Sequence, residues 1–207
     1  LTVRVNTEDV ITEGLSSGDN PMDIQDGWSA TFDKYLVALG DIDMHFATNE
    51  DLEVENSDTH IVDLTKLSTN GVALWELEGL KSGRWAFNYS TTIAEDSTNK
   101  GENVSDEDFT TMKDQSLTYL IEGALKNESG QSCPPADLAI SEGIEPNGTN
   151  VGGNVCYDAP EVRFAFGVQA ETVFGPCEID GISGVAITAN QNQSIAITIH
   201  GDHLFFN

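Results

Sequence analysis

Side-chain chemistry concentrates at the end of this sequence, in His200-Gly201-Asp202-His203. Two of the four histidines fall there, and His45 and His60 are the others. Ile195, Ile197 and Ile199 alternate with Ala196 and Thr198 just before it, the period of a half-buried strand. In a continuous strand His200 and Asp202 share a face and His203 faces away. Gly201 can take a positive φ and bend the chain, which would bring both imidazoles together. With His60 as a third ligand, His200 and His203 would suit copper or zinc. Asp202 is either a fourth donor or the carboxylate that orients one of the rings. The alternative is a structural corner in which both rings bond backbone groups and Asp202 caps a turn.

Other chemistries find little support. There is no Gly-x-Ser-x-Gly elbow and no phosphate-binding loop. Carboxylates are so numerous that no pair stands out as a glycosidase dyad. The expectation is a non-enzymatic protein. The loop carrying Asp19, Asp23 and Asp26 lacks the spacing of an EF-hand, so calcium is less expected than copper or zinc. His45 lies between Met44 and Phe46 but points across the sheet from them, so it reads as exposed and not as half of a Met–His copper pair.

Composition narrows the partners. The chain has 207 residues and a net charge of −26, from 35 acids against 9 bases. Nucleic acid needs a basic footprint, and an anionic membrane surface needs one too, so neither is expected. No apolar run is long enough for a membrane span. Residues 1–9 lack signal-peptide character, as in a mature chain or one whose leader has been removed. Of the three cysteines, Cys133 and Cys156 bracket a Pro-, Gly- and Asn-rich segment and are the favoured disulfide pair, which suits an oxidising compartment. Cys177 is then buried and inert or bonded outside this chain. Asn88, Asn103, Asn127, Asn147 and Asn192 stand in N-x-Ser/Thr sequons, some of which would carry sugar in a eukaryotic or archaeal secreted protein.

The elements that must position these residues are mostly strands. Short alternating segments with frequent glycine predict an all-β antiparallel sandwich, one domain over 1–207. Residues 2–11 read as the first strand. Residues 27–46 form the longest segment, with one phase change near Asp33-Lys34, as at a β-bulge. Residues 49–58 read as an acidic loop and 59–65 as a strand with His60, Val62 and Leu64 on one face. Strands follow over 71–80 and 84–93. One helix is expected near 106–114, capped by Ser105 and with Phe109 and Met112 facing the core. A strand over 116–126, an insertion loop near 127–158 and a strand over 161–174 come next. Residues 185–188 and 194–199 read as a final hairpin.

The order of these segments resembles the MbnP-like family of bacterial periplasmic and surface lipoproteins, including uncharacterised lipoproteins of the myxobacterial kind. The resemblance is carried by Asp26-Gly27-Trp28 leading into Phe32-Asp33-Lys34-Tyr35-Leu36-Val37, by His60-Ile61-Val62-Asp63-Leu64, by the strand after Gly83, and by Ile199-His200-Gly201-Asp202-His203-Leu204-Phe205. It implies a β-sandwich outside the cytoplasm. Some members bind copper through histidine and an oxidised tryptophan, and the match points to His60. No tryptophan adjoins a histidine in this sequence, and Trp28, Trp75 and Trp85 read as core or sheet residues. Two functions stay open. One is an extracytoplasmic binding protein for copper or zinc. The other is a metal-free structural or assembly subunit of an extracellular complex or filament, with a protein partner or further copies of itself.

Overall fold

The computed structural model describes residues 1–19, 23–68, 70–128, 130–133, 153–176, 178–179, 182–188 and 190–201. Strand β1 (Thr2–Thr7) leads into a short helix α1 (Asp9–Thr12), followed by β2 (Ser29–Phe46), β3 (Asn49–Asn56) and β4 (His60–Asp63). A 3-10 turn (Leu64–Lys66) precedes β5 (Val72–Glu76), β6 (Gly83–Thr91), β7 (Asn99–Lys100) and helix α2 (Asp106–Asp114). Then come β8 (Tyr119–Lys126), β9 (Gln131–Ser132), β10 (Tyr157–Asp158), β11 (Glu161–Val168) and β12 (Thr172–Phe174). The last strands are β13 (Glu178–Ile179), β14 (Ile182–Ser183), β15 (Val185–Ile187) and β16 (Ser194–Ile199).

The fold is all-β and sandwich-like, as the alternation predicts. Its spine is β2, eighteen residues long. The first half of β2 pairs with β8 on one side, and its centre with β4 on the other. The second half pairs with β3 and β6. These and β7, β11, β12 and β15 make a nine-stranded sheet. A three-stranded sheet, in the order β16-β1-β5, forms the second layer. Val3, Val5, Trp75, Ile197 and Ile199 from the small sheet meet Tyr35, Val37, Leu39, Ile42, Met44, Trp85, Phe87 and Ile121 from the large one. On the opposite face of the large sheet, Met112 and Phe109 of α2 cover Leu36, Ala38, Ile61 and Leu120. The centre of β2 is thus buried on both sides, which is why Leu36-Val37-Ala38-Leu39 is apolar without a break. Burying each such side chain contributes roughly 1.5–3 kcal/mol.

Two register slips decide what β2 presents on each face. One lies between Phe32 and Lys34, where the sequence predicts it. The second lies between Gly40 and Asp43, where Asp41 takes a left-handed φ of 51°. Before it, Tyr35, Val37 and Leu39 face the inter-sheet core, and after it Ile42 and Met44 do. Without that slip Asp43 and His45 would point into the core. With it they stand on the outer face, beyond the part that α2 covers.

Helix α2 begins where Ser105 predicts. The Ser105 hydroxyl accepts from the Asp108 amide at 3.0 Å, and Lys34 pairs with Asp108 at 2.7 Å and with Glu122 at 3.1 Å. Cys133 and Cys156 form a disulfide at the base of the expected insertion, where β9 pairs with β10. Most of that insertion, and Cys177, lie outside the described residues. No described helix is long and apolar enough to cross a membrane.

Four expectations need correction. The first strand stops at Thr7, and α1 follows. The acidic stretch after His45 is a strand, β3: Leu52 and Val54 pack against the core, and Asp51, Glu53 and Glu55 alternate with them and face outward. The stretch 161–174 is two strands that pair with different neighbours, β11 with β8 and β12 with β6. The final hairpin does not form. β15 joins β6 in the large sheet, whereas β16 crosses to the small sheet and pairs with β1 in parallel. Alternation gives a strand its faces but does not choose its partner.

Candidate functional site

The tightest group of metal-ligating side chains is built by the outer half of β2 and its hairpin partner. Asp43 and His45 are two residues apart in one strand and so project from the same face. The turn at Ala47-Thr48 returns the chain as β3, in a register that sets Glu53 opposite His45 and Glu55 opposite Asp43. On the other side, Asn88 of β6 lies opposite Asp43.

The His45 Nε2 atom lies 3.0 Å from Asp43 Oδ2 and 3.8 Å from Glu53 Oε1. One ligand atom from each residue falls within 4.8 Å of the others, and among the described residues no other group of three does so. A tetrahedral ion with ligands at about 2.0–2.1 Å holds them about 3.3 Å apart, between the two spacings seen here. Asn88 Nδ2 donates to Asp43 Oδ2 at 3.0 Å, steadying that carboxylate. Asp43 Oδ1 is shielded from solvent and has no hydrogen-bond partner. All three side chains keep about a third or more of their surface exposed, which leaves room for water as a remaining ligand.

His60 stands elsewhere. It starts β4, opposite Leu39. Its ring meets Trp75 edge-on, with centroids 5.2 Å apart and planes at 87°. The histidine and tryptophan that are separate in sequence are therefore neighbours in space. Burial pushes the His60 pKa below its ordinary value, opposed in part by the charge of Asp58. Its Nε2 atom is buried without a hydrogen-bond partner. The Trp75 indole N–H donates to the Asp58 carbonyl at 2.8 Å, and His60 belongs to no group of three ligating side chains among the described residues. His60 and Trp75 thus form a two-member pair, with no third ligating side chain grouped with them among the described residues.

His200 is set by the parallel pairing of β16 with β1. Thr7 lies opposite Ile199, so the next residues, Glu8 and His200, meet, with Nδ1 2.6 Å from Glu8 Oε1. Gly201 does not take the positive φ that would bend the chain there. Glycine is needed there because a Cβ would come within 2.4 Å of Ile11 on α1. His60 and His200 are not brought together. Trp75 beside His60 is opposite Val3, and His200 is beside Glu8. Five residues of extended chain, about 16 Å, separate those two levels of the small sheet. Asp202 and His203 lie outside the described residues.

Of the sequons, Asn88 and Asn103 are half-buried with their amides engaged, the first to Asp43 and the second to the Asp63 carbonyl at 2.7 Å. Asn192 is exposed.

Asp43 and Glu53 do not stand out as ligands from the sequence alone. The Asp-x-His alternation was visible, but Glu53 becomes its neighbour only once residues 49–56 are recognised as the returning strand. The chain matches no protein-family model, no curated protein and no solved structure.

Proposed function

We propose that this is a non-enzymatic binding protein of the extracytoplasmic space that holds a transition metal, zinc or copper, at Asp43, His45 and Glu53. The observation that carries the reading is the convergence of one imidazole and two carboxylates on the exposed face of the β2–β3 hairpin. An imidazole donor favours zinc or copper over calcium, which takes oxygen ligands. The acidic surface raises the local concentration of cations. The Cys133–Cys156 disulfide supports an oxidising compartment. A place in the MbnP-like family belongs to the same proposal, with His45 rather than His60 as the ligating histidine.

Metal content of the purified protein after dialysis against zinc or copper tests it. The expected result is one equivalent in the parent chain, lost in His45→Ala and Glu53→Gln and kept in His200→Ala and His203→Ala. The reverse pattern moves the site to the tail and overturns the assignment. No stoichiometric metal in the parent chain removes the metal function. A defined oligomer by size exclusion would then favour an assembly subunit.

A further inference from the structure

The three-stranded layer is narrower than the sheet beneath it. Where its edge strand β16 ends, a cavity of about 530 Å³ opens between Thr198, Ile199 and His200 and the inner face of the large sheet. That volume is within the range of small-molecule sites, roughly 300–1,000 Å³. Its walls are aromatic: Tyr35, Tyr89, Tyr119, Phe166 and Phe174 all line it. Tyr35 and Tyr119 meet edge-on with centroids 6.4 Å apart, and Tyr89 stacks on Phe174 at 4.9 Å.

Two further observations bear on what enters. First, the mouth is apolar. Phe166, Val168 and Phe174 line the cavity, yet each keeps more than a third of its surface exposed. These side chains give an apolar ligand contact surface at the rim as well as inside the cavity. Second, the described lining carries no lysine or arginine, and the His200 imidazole is held against the Glu8 carboxylate. Among the described residues an anion would find no uncommitted positive group, and the chain as a whole carries a net charge of −26. Flat aromatic walls favour offset stacking and edge-to-face contact with another ring. Thr198 adds a hydroxyl to the lining. The Tyr119 hydroxyl is already engaged with Thr91, and burial raises its pKa, so it stays a neutral phenol.

We propose that this cavity is a binding site for an uncharged, flat aromatic molecule, inserted between the tyrosine-lined face of the large sheet and the end of β16. The site is separate from Asp43, His45 and Glu53 and does not depend on metal.

Fluorescence titration of the whole chain with Nile red, an uncharged planar dye, tests the proposal. The expected result is saturable 1:1 binding, at least tenfold tighter than that of the anionic dye anilinonaphthalene sulfonate. Val168→Asp and Phe174→Asp place a charge at the mouth, at partly exposed positions, and should each weaken Nile red binding at least tenfold with an unchanged circular dichroism spectrum. Val173→Asp, 77% exposed and outside the lining, is the control and should bind as the parent does. Absence of saturable Nile red binding overturns the proposal. So does equal or tighter binding of the anionic dye, or equal loss in Val173→Asp, which would mark a surface patch and not a cavity. Were a mouth variant to misfold, competition for Nile red by an uncharged aromatic such as naphthol decides the matter on the parent chain. Displacement supports the site, and no displacement overturns it.

Discussion

Replacing Asp63 by alanine should unfold the corner that begins the 3-10 turn after β4. Asp63 is fully buried. Its Oδ1 atom accepts from the Tyr35 amide at 3.4 Å, the Thr65 amide at 3.2 Å and the Thr65 hydroxyl at 2.6 Å. Lys66 Nζ lies 2.6 Å from Oδ2, placed for charge attraction more than for a directed hydrogen bond. Alanine leaves two backbone N–H groups without their acceptor, and each orphaned donor costs about 1–3 kcal/mol when buried. The long Tyr35 contact belongs at the low end of that range. The Thr65 hydroxyl can turn away, and Lys66 is half-exposed, so its release adds little. The expected loss is about 3 kcal/mol. For a chain of this size that lowers Tm by about 6–12 °C. Asp63→Asn keeps an acceptor oxygen and should lose about 1 kcal/mol. Urea unfolding followed by circular dichroism measures both. An Asp63→Ala protein within about 0.5 kcal/mol of the parent would refute the idea that this carboxylate organises the corner.

Burial lowers the His60 pKa, so the folded chain holds that ring neutral where the unfolded chain takes up a proton below about 6.5. Its contribution to stability is fully present above that pH and is lost as pH falls from there toward the lowered folded value. The urea midpoint of the parent should therefore drop more steeply between pH 7.5 and 5.5 than that of His60→Gln, and equal slopes would contradict the neutral buried ring. Cys133 and Cys156 are 23 residues apart, and on loop-closure grounds their disulfide contributes about 3 kcal/mol. Reduction, or Cys133→Ser with Cys156→Ser, should lower the urea midpoint accordingly, and an unchanged midpoint would show that the bridge constrains nothing the fold depends on.

Much of the architecture was readable from side-chain parity. Ile42 and Met44 against Asp43 and His45, the bulge at Phe32–Lys34, and the Ser105 cap each follow from local rules that the sheet does not override. What escaped depended on pairing. Residues 49–56 are rich in Asn, Asp and Glu, which have low strand propensity, and become a strand because β2 supplies the ladder. The kink at Asp41 has no glycine at the left-handed position itself to announce it. His60 and Trp75 are fifteen residues apart, and the fold makes them neighbours by laying the small sheet over the large one. His200 meets Glu8 only because β16 crosses between layers to pair in parallel. In each case the residue types were in view, and the missing information was which strand lies beside which.

The proposed transition-metal site at Asp43, His45 and Glu53 is tested by isothermal titration of zinc, and then copper, into the parent chain and His45→Ala. One saturable site per chain is expected, weakening on acidification as protons compete for the imidazole and absent from His45→Ala. Undiminished binding to His45→Ala, or no saturable binding to the parent, would contradict it.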